Sequence, residues 1–183
     1  MLEKEPTQSE ASRQDELYEE VAASYGAPLG RLARAYEADP DKRRDLLQEI
    51  DIALWRSLEN FGERCSLRTW VYRVAHNVAT SHIVRQRRDN LRTFLSLDVL
   101  DSMAAAEDAE RAANRHMELE RLWALIQQLK PLDRQIILLY LEGMDAAAIG
   151  EITGVSAGNI ATKIHRIKNL MARRFQEGGH HGE

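Results

Sequence analysis

The sequence is short of the residues that staple, bend or span. It has a single cysteine, Cys65, which excludes an internal disulfide framework and fits a reducing compartment. No run of eighteen apolar residues occurs, so no segment reads as a membrane-spanning helix. The first residues, Met1-Leu2-Glu3-Lys4-Glu5-Pro6, lack the apolar core of a secretory signal. These absences predict a cytoplasmic protein without membrane insertion. Strand-like alternation is missing and aromatics make up only 6% of the chain, while Ala and Leu abound, so the expected fold class is all-α. Chemistry-bearing clusters are also missing. His76 and His82 sit six apart on different faces of one helical stretch without acidic neighbours, and Cys65 has no evident His or Asp partner. No metal site, cofactor or catalytic residue is expected, and the chain does not read as an enzyme.

Acidic residues are absent from two stretches, and that absence is informative. The net charge of −4 argues, at face value, against a nucleic-acid partner. Yet Arg64 to Arg88 holds six arginines without an Asp or Glu, and Gly154 to Phe175 holds five Lys or Arg without an acid. All 29 acidic residues therefore lie elsewhere. Ordinary surfaces intersperse both signs, so two acid-free basic segments on an acidic chain point to phosphate-facing surfaces rather than plain solvated faces.

Periodicity divides the chain. Residues 1–13 are polar and expected to be disordered. From Asp15 to Tyr36 apolar residues recur at helical spacing, interrupted by Gly26 and Pro28, which leaves two helices or one kinked helix open. Asp39 and Pro40 read as the cap and first turn of a helix over about 40–59, with Leu46, Leu47, Ile50, Leu54, Trp55 and Leu58 as its buried stripe. A further helix is expected over about 66–87. Trp70, Val74, Val78 and Ile83 trace its core side, and Arg73, His76, Asn77 and Thr80 fall opposite. These helices make a first domain over 14–88. Residues 89–115 are acidic and Ala-rich and read as a flexible linker. A second domain spans 116–176, and residues 177–183 form a disordered tail.

The second domain carries the clearest motif. One amphipathic helix stops at Lys130-Pro131, and Pro131 opens another that is apolar nearly all round through Leu141. Then Asp145 caps a short helix, Gly154 supplies a left-handed turn, and Ser156 opens a long helix with Ile160, Ile164 and Ile167 inward. Small residues Ala146, Gly150 and Ala157 allow a close crossing. This is a helix-turn-helix, whose second helix lies in the DNA major groove. Ser156, Asn159, Thr162, Lys163, Arg166 and Lys168 are its candidate base-reading and phosphate-contacting residues.

Two motifs carry a family resemblance. Asp45-Leu46-Leu47-Gln48-Glu49-Ile50, Leu54-Trp55, Phe61 and Leu67-Arg68-Thr69-Trp70-Val71-Tyr72-Arg73-Val74-Ala75-His76-Asn77 resemble region two of the extracytoplasmic-function sigma factors. Leu129-Lys130-Pro131-Leu132-Asp133-Arg134-Gln135 and the helix-turn-helix resemble their region four. The resemblance implies a region 2 bundle and a region 4 helix-turn-helix joined by a flexible acidic linker. It implies a factor that binds core RNA polymerase, recognises the −35 and −10 promoter elements and promotes DNA opening. Asp45, Gln48, Glu49 and Arg56 would dock on the clamp helices of the largest subunit, and region four would touch the flap. Arg64, Cys65, Ser66, Leu67, Arg68, Arg73, His76, Asn77, Thr80, Arg85, Arg87 and Arg88 would hold the −10 element as an unpaired strand. Trp70 reads first as core packing. An anti-sigma partner is a further implied binder. Three positions depart from the pattern: Asp51 replaces an aromatic or aliphatic residue, Gly150 an alanine, and Ala161 a cation of the recognition helix. The alternative is a helix-turn-helix regulator acting without sigma activity, which gives no account of the Asp45–Trp55 motif or the first basic segment.

Overall fold

The computed structural model describes residues 8–92 and 109–177, all seven elements of which are α-helices. They run α1 (Gln8–Tyr36), α2 (Pro40–Leu58), α3 (Leu67–Arg92), α4 (Ala109–Gln127), α5 (Pro131–Leu141), α6 (Ala146–Thr153) and α7 (Ala157–Glu177). The all-α expectation holds. Residues 8–13, read as disordered, belong to α1, and the linker's first and last residues, 89–92 and 109–115, belong to α3 and α4. The rest of that linker, 93–108, and the tail from 178 onward lie outside the described residues.

The first three helices pack together. α1 runs through Gly26 and Pro28 as one helix, which settles the open alternative. Asp39 caps α2: its Oδ1 accepts from the backbone N–H groups of Asp41 (2.9 Å) and Lys42 (3.1 Å), with Pro40 in the first turn. Leu46, Ile50, Leu54 and Leu58, four apart, form its buried line against Val21, Leu29, Leu32 and Ala33 of α1 and Val71 and Ala75 of α3. Trp55 is not in that line. Counting on from Leu54 turns it outward, where it is 43% exposed and its indole N–H donates to Asp15 Oδ1 at 3.1 Å. Buried Glu37 ties the helices at one end. One carboxylate oxygen accepts the Asp39 N–H (2.9 Å) and the other meets His82 Nε2 (2.9 Å) and Gln86. His82 thus has an acidic neighbour after all, 45 residues away in sequence.

The second set builds around α5, whose Ile136, Ile137, Leu138 and Leu139 are all buried. Asp145 Oδ1 accepts from Ala148 N–H at 2.8 Å and caps α6; Gly154, at φ +74°, closes it with a left-handed residue. Gly150 is there for space. A Cβ at that position would stand 2.7 Å from the Val155 carbonyl oxygen, so the turn folds back against bare backbone. Buried Arg134 satisfies the end of α4, its guanidinium donating to the carbonyls of Gln127 and Leu129.

The two sets also touch. Arg31 grips the Glu142 carboxylate through two bonds of 2.7 Å each, and Arg34 pairs with Glu120. Gln127 donates to the Arg34 carbonyl at 2.7 Å, and the Arg134 guanidinium lies 5.1 Å from the centre of the Tyr36 ring.

Candidate nucleic-acid interface

The basic face of the first bundle is built on α3. Ser66 starts that helix: its hydroxyl accepts from Thr69 N–H at 3.1 Å and pairs with Thr69 Oγ1 at 2.9 Å, a cap rather than a free donor. Just before it, Glu63 holds φ at +56°, a left-handed conformation disfavoured for a side-chain-bearing residue. It sits beside the loop of Arg64 and Cys65, where such strain often accompanies function. Arg64, Arg73, Asn77, Arg85, Arg87 and Arg88 are exposed, while Cys65, Leu67, Arg68 and Thr80 are partly covered.

His76 is a correction. Expected opposite the core, it is 1% exposed, with Nδ1 3.1 Å from the Tyr36 hydroxyl and its ring edge-on to that of Tyr36. Burial drives its pKa down from 6.5 to about 3, so the ring is neutral, and burial pushes the Tyr36 phenol up to about 12. His76 Nε2 has no hydrogen-bond partner among the described residues. The residue belongs to the core and not to the exposed face of α3. Trp70 takes the packing role expected of it: its indole N–H donates to Ser57 Oγ at 3.0 Å, and its ring lies edge-on to Phe61.

Several of the cations already have partners. Arg68 donates to the Glu142 carbonyl and Arg73 to the Glu151 carbonyl, each at 2.5 Å, so both reach across to the second set of helices. Arg85 pairs with Glu49 of α2. Between α2 and α3 lies an open cavity of about 460 Å³, lined by Ile52 and Arg56 on one side and Asn77 and Arg85 on the other.

The outer line of α2 runs through Asp45, Gln48, Glu49, Ile52, Trp55 and Arg56, all exposed. Sequence reading identified its polar members and missed Ile52 and Trp55; a spacing of seven and ten residues from Asp45 was the available signal. Asp51 beside this line is half-buried, and desolvation holds its carboxyl above the usual range.

In the second set, Ser156 just before α7 and Asn159, Thr162, Arg166 and Lys168 on it face solvent, with Lys163 partly covered. Ala161 is exposed among them. Asp133, in the first turn of α5, accepts from Lys163 Nζ at 2.7 Å and from Arg166 at 3.0 Å. Lys168 Nζ lies 5.4 Å from the Tyr140 ring centre. His165, Asn169 and Arg173 extend the exposed face beyond the residues expected, one helical turn at a time.

Two helical modules with this geometry match known sequence families. Residues 21–89 match Sigma-70 region 2, and residues 119–171 match Sigma-70, region 4. The chain is 30% identical over 139 residues to the ECF RNA polymerase sigma-E factor of Haemophilus influenzae, covering 72% of this chain and 74% of that protein. The chain belongs to the extracytoplasmic-function sigma factors. It is also 28% identical to the RNA polymerase sigma-H factor of Pseudomonas aeruginosa, covering 81% of this chain and 80% of that protein. Its fold is shared by two solved sigma factors, each with a TM-score of 0.64. One is CnrH in complex with the cytosolic domain of CnrY, 21% identical and covering 92% of this chain and 94% of that one. The other is RpoE from Bartonella quintana in complex with the anti-sigma factor NepR, 18% identical and covering 87% and 95%. This chain is therefore an RNA polymerase sigma factor, a protein of transcription initiation, with α1–α3 as region 2 and α4–α7 as region 4.

Proposed function

We propose that this sigma factor holds a promoter at two places while bound to core RNA polymerase. Residues 14–88 act as the region 2 domain and 116–176 as the region 4 domain. Asn159, Thr162, Lys163 and Arg166, with Ser156 and Lys168 at the margins, meet the −35 duplex in its major groove. Arg64, Arg68, Arg73, Asn77, Arg85, Arg87 and Arg88, with Cys65, Leu67 and Thr80 nearby, hold the −10 strand once it is unpaired. Opening then needs no chemistry from the factor. It needs a cationic surface that binds the separated strand better than the duplex, which shifts the equilibrium by its differential affinity. Ser66 serves the same surface as the cap that starts α3.

The outer line of α2 docks on the clamp helices of the polymerase's largest subunit, with Ile52 and Trp55 supplying apolar anchors among Asp45, Gln48, Glu49 and Arg56. Exposed aromatic and aliphatic side chains ringed by polar ones are what such an interface uses. Region 4 meets the flap. Both solved relatives are described with an inhibitory or cytosolic partner domain, and the same class of anti-sigma partner is proposed here. The protein acts as a binding subunit without catalysis of its own.

One observation carries this reading: two basic helical segments without an acid of their own stand on separate modules of a sigma-factor chain. Purified protein added to core polymerase should yield promoter-specific run-off transcripts from genomic templates. Binding to DNA with no gain in transcription would refute it.

A further inference from the structure

We propose that Asp133 is a specificity-determining residue of region 4, holding Lys163 and Arg166 in place of a DNA phosphate. The inference rests on α7 being the DNA-reading helix. The Asp133 side chain is 13% exposed and accepts from both cations at once, at 2.7 and 3.0 Å, leaving Lys163 28% and Arg166 66% exposed. It stands in the first turn of α5, where a negative charge suits the helix end. Among the described residues, Asp133 is also the one acid lining a groove of about 400 Å³ that carries Lys130, Arg166, Arg173 and Arg174.

Any polyanion visiting that groove meets a carboxylate already seated on Arg166 and on Lys163 beside it. Random duplex is held almost wholly by phosphate contacts, so it must displace Asp133 or forgo them. At a correct −35 site, Asn159 and Thr162 add base-edge contacts, and cations already pinned lose little further freedom on binding. The carboxylate therefore weakens non-specific binding more than specific binding.

Titration of the full chain with two fluorescent duplexes over a range of salt tests this: one holds the −35 element of a run-off promoter, the other is unrelated. Asp133→Asn should raise affinity for the unrelated duplex roughly threefold to tenfold and steepen its salt slope by about 0.9, one released phosphate contact. Affinity for the −35 duplex should change less, and Asp133→Glu should keep wild-type discrimination. A double variant, Lys163→Gln with Arg166→Gln, removes what Asp133 holds, so adding Asp133→Asn to it should change nothing. If Asp133→Asn leaves the unrelated duplex unaffected, or strengthens binding equally in the double-variant background, the proposal is overturned. If the double variant itself binds the −35 duplex as tightly as wild type, the reading of α7 fails first.

A separate set of contacts carries a second inference: the free chain closes region 4 over part of the −10 face. Arg68 and Arg73 spend donors on the carbonyls of Glu142 and Glu151, and Arg31 clamps the Glu142 side chain. Those carbonyls occupy donors that the proposed function gives to the −10 strand. Glu142→Arg should drive the domains apart, increase the radius of gyration in solution scattering, and raise affinity for a fluorescein-labelled mixed-sequence single strand. Restoring the pair in swapped form, with Arg31→Glu added, should restore closure and the weaker binding. Wild-type scattering that already matches an open chain, or strand binding unchanged by Glu142→Arg, would overturn it.

Discussion

The buried imidazole of His76 makes the stability of region 2 depend on pH in a calculable way. Its folded pKa is about 3 against 6.5 for a free ring, and the cause is complete burial. The unfolded chain therefore binds a proton that the folded chain refuses. The folded-state pKa is depressed, so this contribution to stability is fully present above 6.5 and is lost progressively as pH falls toward 3. Between pH 7 and pH 5 the loss is about 2 kcal/mol, which follows from protonating one unfolded-state histidine and none in the native state. That is a large part of a small domain's margin.

Urea unfolding followed by circular dichroism across that window measures it, with His76→Gln as the comparison. Glutamine cannot titrate but keeps a partner for the Tyr36 hydroxyl. The variant's absolute stability is immaterial, because the quantity read is the change with pH. The other five histidines are present in both proteins and cancel in the difference, as do the carboxylates. The wild-type curve should fall about 2 kcal/mol more steeply than that of the variant. Parallel curves would place His76 in solvent and return it to the DNA-facing set.

Other substitutions test the remaining links. Gly150→Ala gains about 1 kcal/mol of helix propensity but sets a methyl 2.7 Å from the Val155 carbonyl oxygen. Overpacking against backbone of this kind costs roughly 1–3 kcal/mol, so in thermal melting the variant should melt lower than wild type. Asp145→Ala removes the α6 cap and should lower region 4 stability by about 1 kcal/mol in the same assay, with −35 binding weakened in step. Leu54→Ala, at a position with no exposure, should cost about 2–5 kcal/mol in urea titration. Trp55→Ala next to it should cost far less stability yet weaken association with core polymerase in a pull-down, and the opposite ranking would reverse the assignment of the two faces of α2.

What the sequence revealed follows from how far apart the interacting groups lie. The helix-turn-helix was legible because each of its determinants is local: a cap at Asp145, a left-handed turn at Gly154, and isoleucines at Ile160, Ile164 and Ile167 on one face. The α2 cap was legible for the same reason. Trp55 and His76 depart from the sequence expectation in opposite directions, because polarity alone does not fix position on a helix. Trp55 turns outward because Leu46, Ile50, Leu54 and Leu58 fill the buried line, and His76 turns inward with Tyr72, Ala75 and Ala79 in the core. In each case the angular step of the helix, about 100° per residue, outranked chemical type. Pro28 passed without breaking α1 because apolar recurrence continued through Leu29 and Leu32, both buried against the neighbouring helices. The contacts of Arg31 with Glu142 and of Asp133 with Lys163 and Arg166 span 111, 30 and 33 residues, and no period or spacing carries them. They are also where charge meets charge on the very faces that would meet DNA. The same arginines that announced a phosphate-binding surface by their lack of acidic neighbours in sequence have acquired acidic neighbours and carbonyl oxygens in space, so that DNA enters as a competitor for donors already in use.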